Sequence, residues 1–280
     1  MKVLFRIHIL DPLHGLEYSI GCDHIQRHLT PLCYDFRVRT ALSVVIPCYN
    51  ESKTLSECIS RVRNQSSNFD LEIIVVDDFS TDGSREILES LLQQKQIHSL
   101  ILHESNQGKG AALRAGFKVA TGTIVIIQDA DLECDPSEYQ ALVNPITAGM
   151  ADVVYGSRFL QSNPRKVGSF RKYVANKFLT ALSNFYTDLH LTDMETCYKV
   201  FRREILNNAR LTENRFGFEP EITHEISRMT VSVAEIPISY NPRTVLDGKK
   251  IGLGDGFRAI YVIVKCGLFR KGLKPLSIQS

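Results

Sequence analysis

A doubly wound α/β fold with a mostly parallel sheet is the class this sequence predicts, and three observations carry it. Short apolar runs rich in β-branched residues recur at 42–46, 71–76, 98–102, 124–127 and 152–155. Runs that stay apolar at consecutive positions suit strands covered on both faces. Segments of helical period separate them, and alternating strand and helix is the order that builds a parallel sheet. Polar clusters then follow strand after strand: Tyr49/Asn50/Glu51, Asp77/Asp78, Asn106 to Lys109, Asp129/Asp131 and Ser157/Arg158. In an open parallel sheet these strand ends share one edge, where ligands bind.

The elements follow in order. Strand 42–46 stops at Pro47, and Leu55, Ile59 and Val62 give 51–64 a helical stripe. Strand 71–76 leads through Asp77-Asp78 to a helix over 82–94 with Ile87, Leu88, Leu91 and Leu92 inward. After strand 98–102, Gly108-Lys109-Gly110 opens a helix to Ala120. Strand 124–127 follows, then a helix announced by Asp135 as N-cap, Pro136 in the first turn and Glu138 at the third position. Beyond strand 152–155 the pattern loosens. A basic helix is expected over 172–184, a strand over 197–201, a helix over 219–228 and a strand over 231–238. The stretch 241–254, with Pro242, Gly248, Gly252 and Gly254, reads as a mobile loop. A last helix runs over 255–269, with Phe257, Ile260, Tyr261, Val264 and Leu268 on one stripe and cations at its margins. Residues 1–40 hold four of the eight histidines and show no period. Three parts are therefore expected: an N-terminal extension over 1–40, the main domain over 41–254, and a basic amphipathic helix with its tail over 255–280.

The run 123–136, TIVIIQDADLECDP, is the chemical centre. On an extended chain, alternation sends Asp129, Asp131 and Glu133 to one side. Three crowded carboxylates repel unless a cation sits among them, and hard oxygen ligands suit Mg²⁺ or Mn²⁺. The alternative is an acidic strand-to-helix turn with no ligand.

A net charge of +2 makes no case for nucleic acid as a partner. Its distribution says more. Positions 153–187 hold no acid but carry Arg158, Arg165, Lys166, Arg171, Lys172 and Lys177. From Arg243 to Lys274 eight basic residues face only Asp247 and Asp255. Two basic segments opposite an acidic cluster suit a site that handles phosphate; two solvated faces are the plainer reading. Seven cysteines without a C-x-x-C spacing point to reduced thiols and a cytosolic setting. Cys22, His24, His28 and Cys33 fit no standard zinc spacing. No apolar run reaches the length of a membrane span, so a peripheral protein on the cytoplasmic face of a membrane is expected.

The motifs together resemble a known family. They are VVIPCYNE (44–51), IIVVDDFSTDGS (73–84), NQGKGAALRAG (106–116), QDADLE (128–133), ADVVYGSRF (151–159), TDMETCYKVFRREIL (192–206), FGFEPEIT (216–223) and PISYNPRTVLDGKKIGLGDGFRA (237–259). Over about residues 41–260 the chain resembles family 2 glycosyltransferases of the nucleotide-diphospho-sugar transferase (GT-A) fold. Its nearest branch looks like the dolichol-phosphate mannose synthase and polyprenyl-phosphate glucosyltransferase group. The resemblance implies a nucleotide-sugar donor, GDP- or UDP-linked, a polyprenyl phosphate acceptor and inversion at the anomeric carbon. It also implies roles. Pro47, Tyr49 and Glu51 contact the nucleotide, and Asp78 holds its base or ribose. Asp129 and Ala130 lie by the ribose, and Asp131 with position 133 holds the metal on the diphosphate. Arg158, Arg243 and Lys249 meet phosphates of donor and acceptor, and the helix of Arg171 and Lys172 faces the lipid. Departures are Glu133, where the group often has Gln, and Ala175, where some relatives carry Ser. Many relatives also continue into membrane spans after position 270, which this sequence does not.

The expected reaction is attack of a lipid phosphate oxygen on the anomeric carbon, with a nucleoside diphosphate leaving. The divalent ion, held by Asp131, and Arg243 and Lys249 stabilise the charge that builds. A phosphate monoester has its second pKa near about 6 and needs no strong base, consistent with the absence of histidine from these motifs. Asp193 is the candidate for base or for acceptor positioning; its plainer reading is a turn cap. Competing readings are a transferase acting on a sugar or protein hydroxyl, and a nucleotide-binding scaffold without turnover. A dinucleotide oxidoreductase is disfavoured, because PCYNE and not a glycine fingerprint follows the first strand.

Overall fold

The computed structural model describes residues 8–10, 17–19, 39–160, 170–243 and 253–269. The chain divides into two compact units, Met1–Val38 and Arg39–Ser280. In the first, strand β1 (His8–Leu10) pairs antiparallel with β2 (Glu17–Ser19).

The second unit is built on a seven-stranded sheet. Its strands are β3 (Thr40–Cys48), β4 (Phe69–Asp77), β5 (Ser99–Leu102), β6 (Ile124–Ile127), β7 (Val153–Ser157), β8 (Lys199–Arg202) and β9 (Val233–Pro237). They lie in the order β5-β4-β3-β6-β8-β7-β9. All neighbours are parallel except β8, which runs antiparallel to both β6 and β7. The helices are α1 (Leu55–Arg63), α2 (Ser84–Gln93), α3 (Lys109–Val119), α4 (Tyr139–Thr147), α5 (Phe170–Thr187), α6 (Arg203–Asn208), α7 (Phe218–Ser227) and α8 (Leu253–Phe269).

The central strands are apolar on both sides because both sides are covered. Leu42, Val44 and Ile46 join Ile73, Val75, Ile124 and Ile126 in one core, which α1, α2 and α4 close. Val45, Ile74, Val125 and Ile127 join a second core under α3 and α7, which also takes Ile263 of α8. Truncating one such Ile or Leu to Ala costs about 2–5 kcal/mol. Ser43 is the polar exception on β3. Fully buried, its Oγ donates to Glu72 and accepts the amide of Gly122. The cap expected at Asp135 forms, with Oδ1 accepting Ser137 N at 2.9 Å.

Helices α5 and α8 differ from the others. Ala259, Val262, Ile263 and Cys266 of α8 are buried, while Phe257 and Phe269 stand 72% and 82% exposed. On α5, Phe170 and Phe185 are 75% and 77% exposed. The stripe expected on the last helix therefore points outward, and a second stripe docks the helix on α5 and α7.

Candidate functional site

Strand ends β3, β4, β6 and β7 open into one cavity of about 360 Å³, within the range of small-molecule sites. At the end of β3, Pro47, Cys48 and Tyr49 line it, with Glu51 beyond. Asn50 takes a left-handed conformation (φ 51°) that turns the chain there. Its amide donates to Ser80 Oγ at 2.9 Å, and its Oδ1 accepts Thr81 N at 2.8 Å, tying the loops after β3 and β4 together.

Asp78 is saturated from within the protein. One oxygen meets His103 Nδ1 at 2.8 Å and Gln107 N at 2.9 Å; the other accepts Asn106 Nδ2 at 2.9 Å and Gly108 N at 2.7 Å. This carboxylate shapes the 103–108 loop, and Asp78 and Asn106 both line the cavity.

The acidic loop does not continue the strand. Leu132 is left-handed (φ 60°), and Glu133 N folds back onto Asp131 Oδ1 at 3.0 Å. Strict alternation past Asp129, expected from an extended chain, is thus replaced by a turn, although Asp129, Asp131 and Glu133 all still line the cavity. Their partners differ. Lys109 Nζ lies 2.9 Å from Asp129 and 3.1 Å from Glu219. Glu133 accepts Tyr240 Oη at 2.7 Å and Arg243 N at 2.8 Å. Arg243 also reaches the Asp131 carbonyl at 2.8 Å and Glu51 at 2.6 Å. Asp131 is left with the least compensation. Burial, then the charges of Asp129 and Glu133, push its carboxyl up to about 7. A buried excess of hard, negative oxygen fits a divalent cation. Among the described residues, however, no three His, Cys, Asp or Glu converge as a ligand set. Of the expected trio, Asp129 is engaged by Lys109 and Glu133 by Tyr240 and Arg243, and Asp131 carries the greatest excess of negative charge.

The far wall comes from the second half of the chain. Arg158 grips Asp193 through Nε and Nη2 at 2.7 and 2.8 Å, and its amide donates to the same carboxylate. Asn176 Nδ2 adds a fourth contact, and the Asp193 side chain is wholly buried. With both oxygens engaged, Asp193 orients Arg158, an arrangement that favours the positioning alternative. Glu235 supports the same turn by accepting Thr192 N at 2.9 Å. Glu195, Arg215, Phe216 and Glu219 complete this wall. Burial, then Glu219, push the Glu195 carboxyl up to about 8.

The segment carrying Arg215 lies hard against the NQGKG loop. A Cβ on Gly108 or Gly110 would collide with the backbone at Glu213 and Asn214, and Ala111 N donates to Asn214 O at 3.0 Å. Gly108 also holds φ 97°. These glycines serve close approach of two chain segments. From α8, Arg258 grips Glu213 at 2.9 Å.

Of the residues singled out in the sequence, Pro47, Tyr49, Glu51 and Asp78 meet in this cavity with Asp129, Ala130, Asp131, Glu133, Arg158 and Arg243. Arg171 and Lys172 do not line it. They lie on α5, where Arg171 borders a shallow groove with Phe170, Val174, Ala175 and Phe178. Lys249, and most of the expected 241–254 loop with it, lies outside the described residues. Sequence reasoning gave no role to Lys109, Glu195, Arg215, Phe216, Glu219 or Tyr240. Only Lys109, set between two glycines, carried a local signal. Cys134 and Cys197 bring their sulfurs together beside the cavity, and Cys48, Cys58 and Cys266 are buried free thiols.

Residues 43–209 match the family model described as Glycosyl transferase family 2. The chain is 32% identical over 231 residues to an undecaprenyl-phosphate 4-deoxy-4-formamido-L-arabinose transferase of Aeromonas hydrophila, covering 80% of this chain and 67% of that one. It is 29% identical over 216 residues to a polyprenol monophosphomannose synthase of Mycolicibacterium smegmatis, covering 75% and 80%. Among solved structures, glucosyl-3-phosphoglycerate synthase from Mycobacterium tuberculosis, in complex with Mn²⁺, UDP and phosphoglyceric acid, superposes with a TM-score of 0.63. That match has 20% identity and covers 82% of this chain and 79% of the other, a likeness of fold.

Proposed function

This chain belongs to glycosyl transferase family 2, and from that membership we propose that it moves a sugar from a nucleoside diphosphate to a polyprenyl phosphate, the acceptor class named for its relatives. The observation that carries the reading is the meeting of four strand ends, an acidic turn and two half-buried arginines in one cavity.

The near wall, from Pro47 to Asn106, takes the nucleoside. The diphosphate lies along the acidic turn. There Asp131, with Glu133 beside it, would hold Mg²⁺ or Mn²⁺, which would supply Lewis-acid stabilisation to the leaving diphosphate. Arg243 adds a fixed positive charge at the same place, held by Glu51. Arg158, aimed by Asp193, serves the acceptor phosphate. That phosphate is largely dianionic at neutral pH, so its own oxygen attacks the anomeric carbon without a strong base. Charged groups preorganised where charge develops supply most of such catalysis.

The exposed aromatic residues of α5 and α8 favour a lipid acceptor over a soluble one. Phe170, Tyr173 and Phe178, with Phe257, Tyr261 and Phe269, are more exposed than soluble surfaces need. Arg171, Lys172, Arg258 and Lys265 lie among them. Aromatic and aliphatic bulk edged by cations suits the headgroup layer of a membrane. No described helix is long and apolar enough to cross one.

The test is incubation with Mn²⁺, a polyprenyl phosphate and radiolabelled GDP- and UDP-sugars. Label passing into the organic phase, dependent on lipid phosphate, is the expected result. Transfer only to a water-soluble hydroxyl acceptor would replace the proposed acceptor.

A further inference from the structure

We propose that Glu195 and Glu219 form the subsite for the transferred sugar and restrict it to glycosyl groups without an acidic substituent, excluding uronic acids. This rests on the nucleotide-sugar reading above. Glu219 lies across Lys109 from Asp129, with contacts of 3.1 and 2.9 Å to the shared ammonium. It therefore follows the diphosphate position on the way into the far wall. Glu195 and Phe216 line the same stretch.

Hydrogen-bonding capacity there is unfilled on the acceptor side. Glu195 Oε1, Glu219 Oε2 and Thr196 Oγ1 are shielded from solvent and have no hydrogen-bond partner among the described residues. The Glu219 side chain is only 6% exposed. Nearby cations are each held by another protein group and donate to none of these oxygens. Lys109 bridges two carboxylates, Arg158 holds Asp193, and Lys199 donates to Thr196 O and lies over the Tyr155 ring. A buried acceptor without a donor is costly, so a donor-rich guest is favoured. Sugar hydroxyls are such donors, and the C–H face of a pyranose suits Phe216. The terminal torsion of Glu195 is broad, so its orphan oxygen can turn toward the cavity its side chain already lines.

Glu219 repels anions, while the Glu195 carboxyl, pushed up to about 8 by burial and by Glu219, offers a neutral hydrogen-bonding group. A phosphate here would face Glu219 directly, which keeps the acceptor phosphate on the Arg158 side. A uronate would meet the same repulsion. Arg215 also lines the cavity but is exposed, so its attraction is screened by water, whereas Glu219 acts through a drier interior.

Calorimetry on the full chain in Mn²⁺ tests the subsite. UDP, UDP-glucose and UDP-glucuronic acid are compared, as are GDP, GDP-mannose and GDP-mannuronic acid, on wild type, Glu219→Gln and Glu195→Gln. The neutral form should bind at least about 30-fold tighter than its uronate, and Glu219→Gln should shrink that ratio at least about fivefold. Glu195→Gln, close in shape and with one acceptor fewer, should weaken the neutral sugar form while nucleoside diphosphate affinity stays within about threefold. Equal binding of uronate and neutral forms by wild type would overturn the subsite. So would an unchanged ratio in both variants with nucleoside diphosphate binding intact. Failure of both UDP and GDP to bind wild type is a different result, which removes the donor reading itself.

Discussion

The two walls of the cavity are finished to different degrees. On the near wall Asp78 accepts four hydrogen bonds, and Asp77 is held by Arg85 and by Ser80 N. On the far wall three buried oxygens, on Glu195, Thr196 and Glu219, lack partners among the described residues. Buried acceptors left open cost about 1–3 kcal/mol each. The near wall is a rigid mould made by the fold, and the far wall is completed by what enters it. Constant and variable parts of a donor divide the same way, since a nucleoside diphosphate can be read by a preformed surface.

Arg158 and Asp193 are the exception on the far wall, and breaking them should have the largest effect. Arg158→Ala leaves a fully buried carboxylate without its cation, and stability should fall by about 3–5 kcal/mol in denaturant titrations. In whatever fraction folds, acceptor KM should rise far more than donor KM; an equal rise in both would move Arg158 to the donor side. Next is Asp131→Asn, which should lower turnover at least about 100-fold, the scale of losing a principal electrostatic stabiliser. The same change relieves carboxylate repulsion, so the metal-free variant should melt above wild type, and a lower Tm would contradict the crowding argument. The raised Asp131 carboxyl also fixes a pH dependence. Holding a cation requires losing the proton, so Mn²⁺ affinity should climb about tenfold per unit up to about pH 7 and then level. Without metal the sign reverses for stability. The unfolded group ionises around its ordinary value of 3.8 while the folded one stays protonated, so this contribution falls as pH rises toward about 7. Mn²⁺ affinity flat between pH 5 and 8 would locate the ion elsewhere. The smallest effect belongs to Tyr240→Phe, which removes one donor from Glu133 and should cost about 1 kcal/mol.

How much was legible in the sequence follows the same division. Strands β3, β4 and β6 announced themselves because burial on both faces leaves unbroken apolar runs, and the near-wall residues follow those strands directly. The antiparallel course of β8 was not legible, since strand direction leaves no trace in composition. Nor was the far wall. Glu219 meets Lys109 only because 110 residues of intervening chain bring α7 back to α3. Asp193 was noticed, but the orphaned carboxylate two positions on was not, because an unfilled hydrogen bond is a property of packing. The turn at Leu132 broke an alternation argument that holds only while a chain stays extended.

The collision awaiting any side chain at Gly108 or Gly110 has a consequence for engineering. Transplanting the 106–116 loop from a relative to alter nucleotide preference would carry glycines shaped to another protein's opposing segment. The graft should succeed only as a pair with 213–216 and, because Arg258 braces Glu213, with the matching turn of the last helix. Chimeras cut between these stretches should express as misassembled cavities, whereas chimeras that exchange all three together should retain a working one. On the proposed reading, nucleotide choice and sugar choice would be inherited as a linked set of residues more than a hundred positions apart.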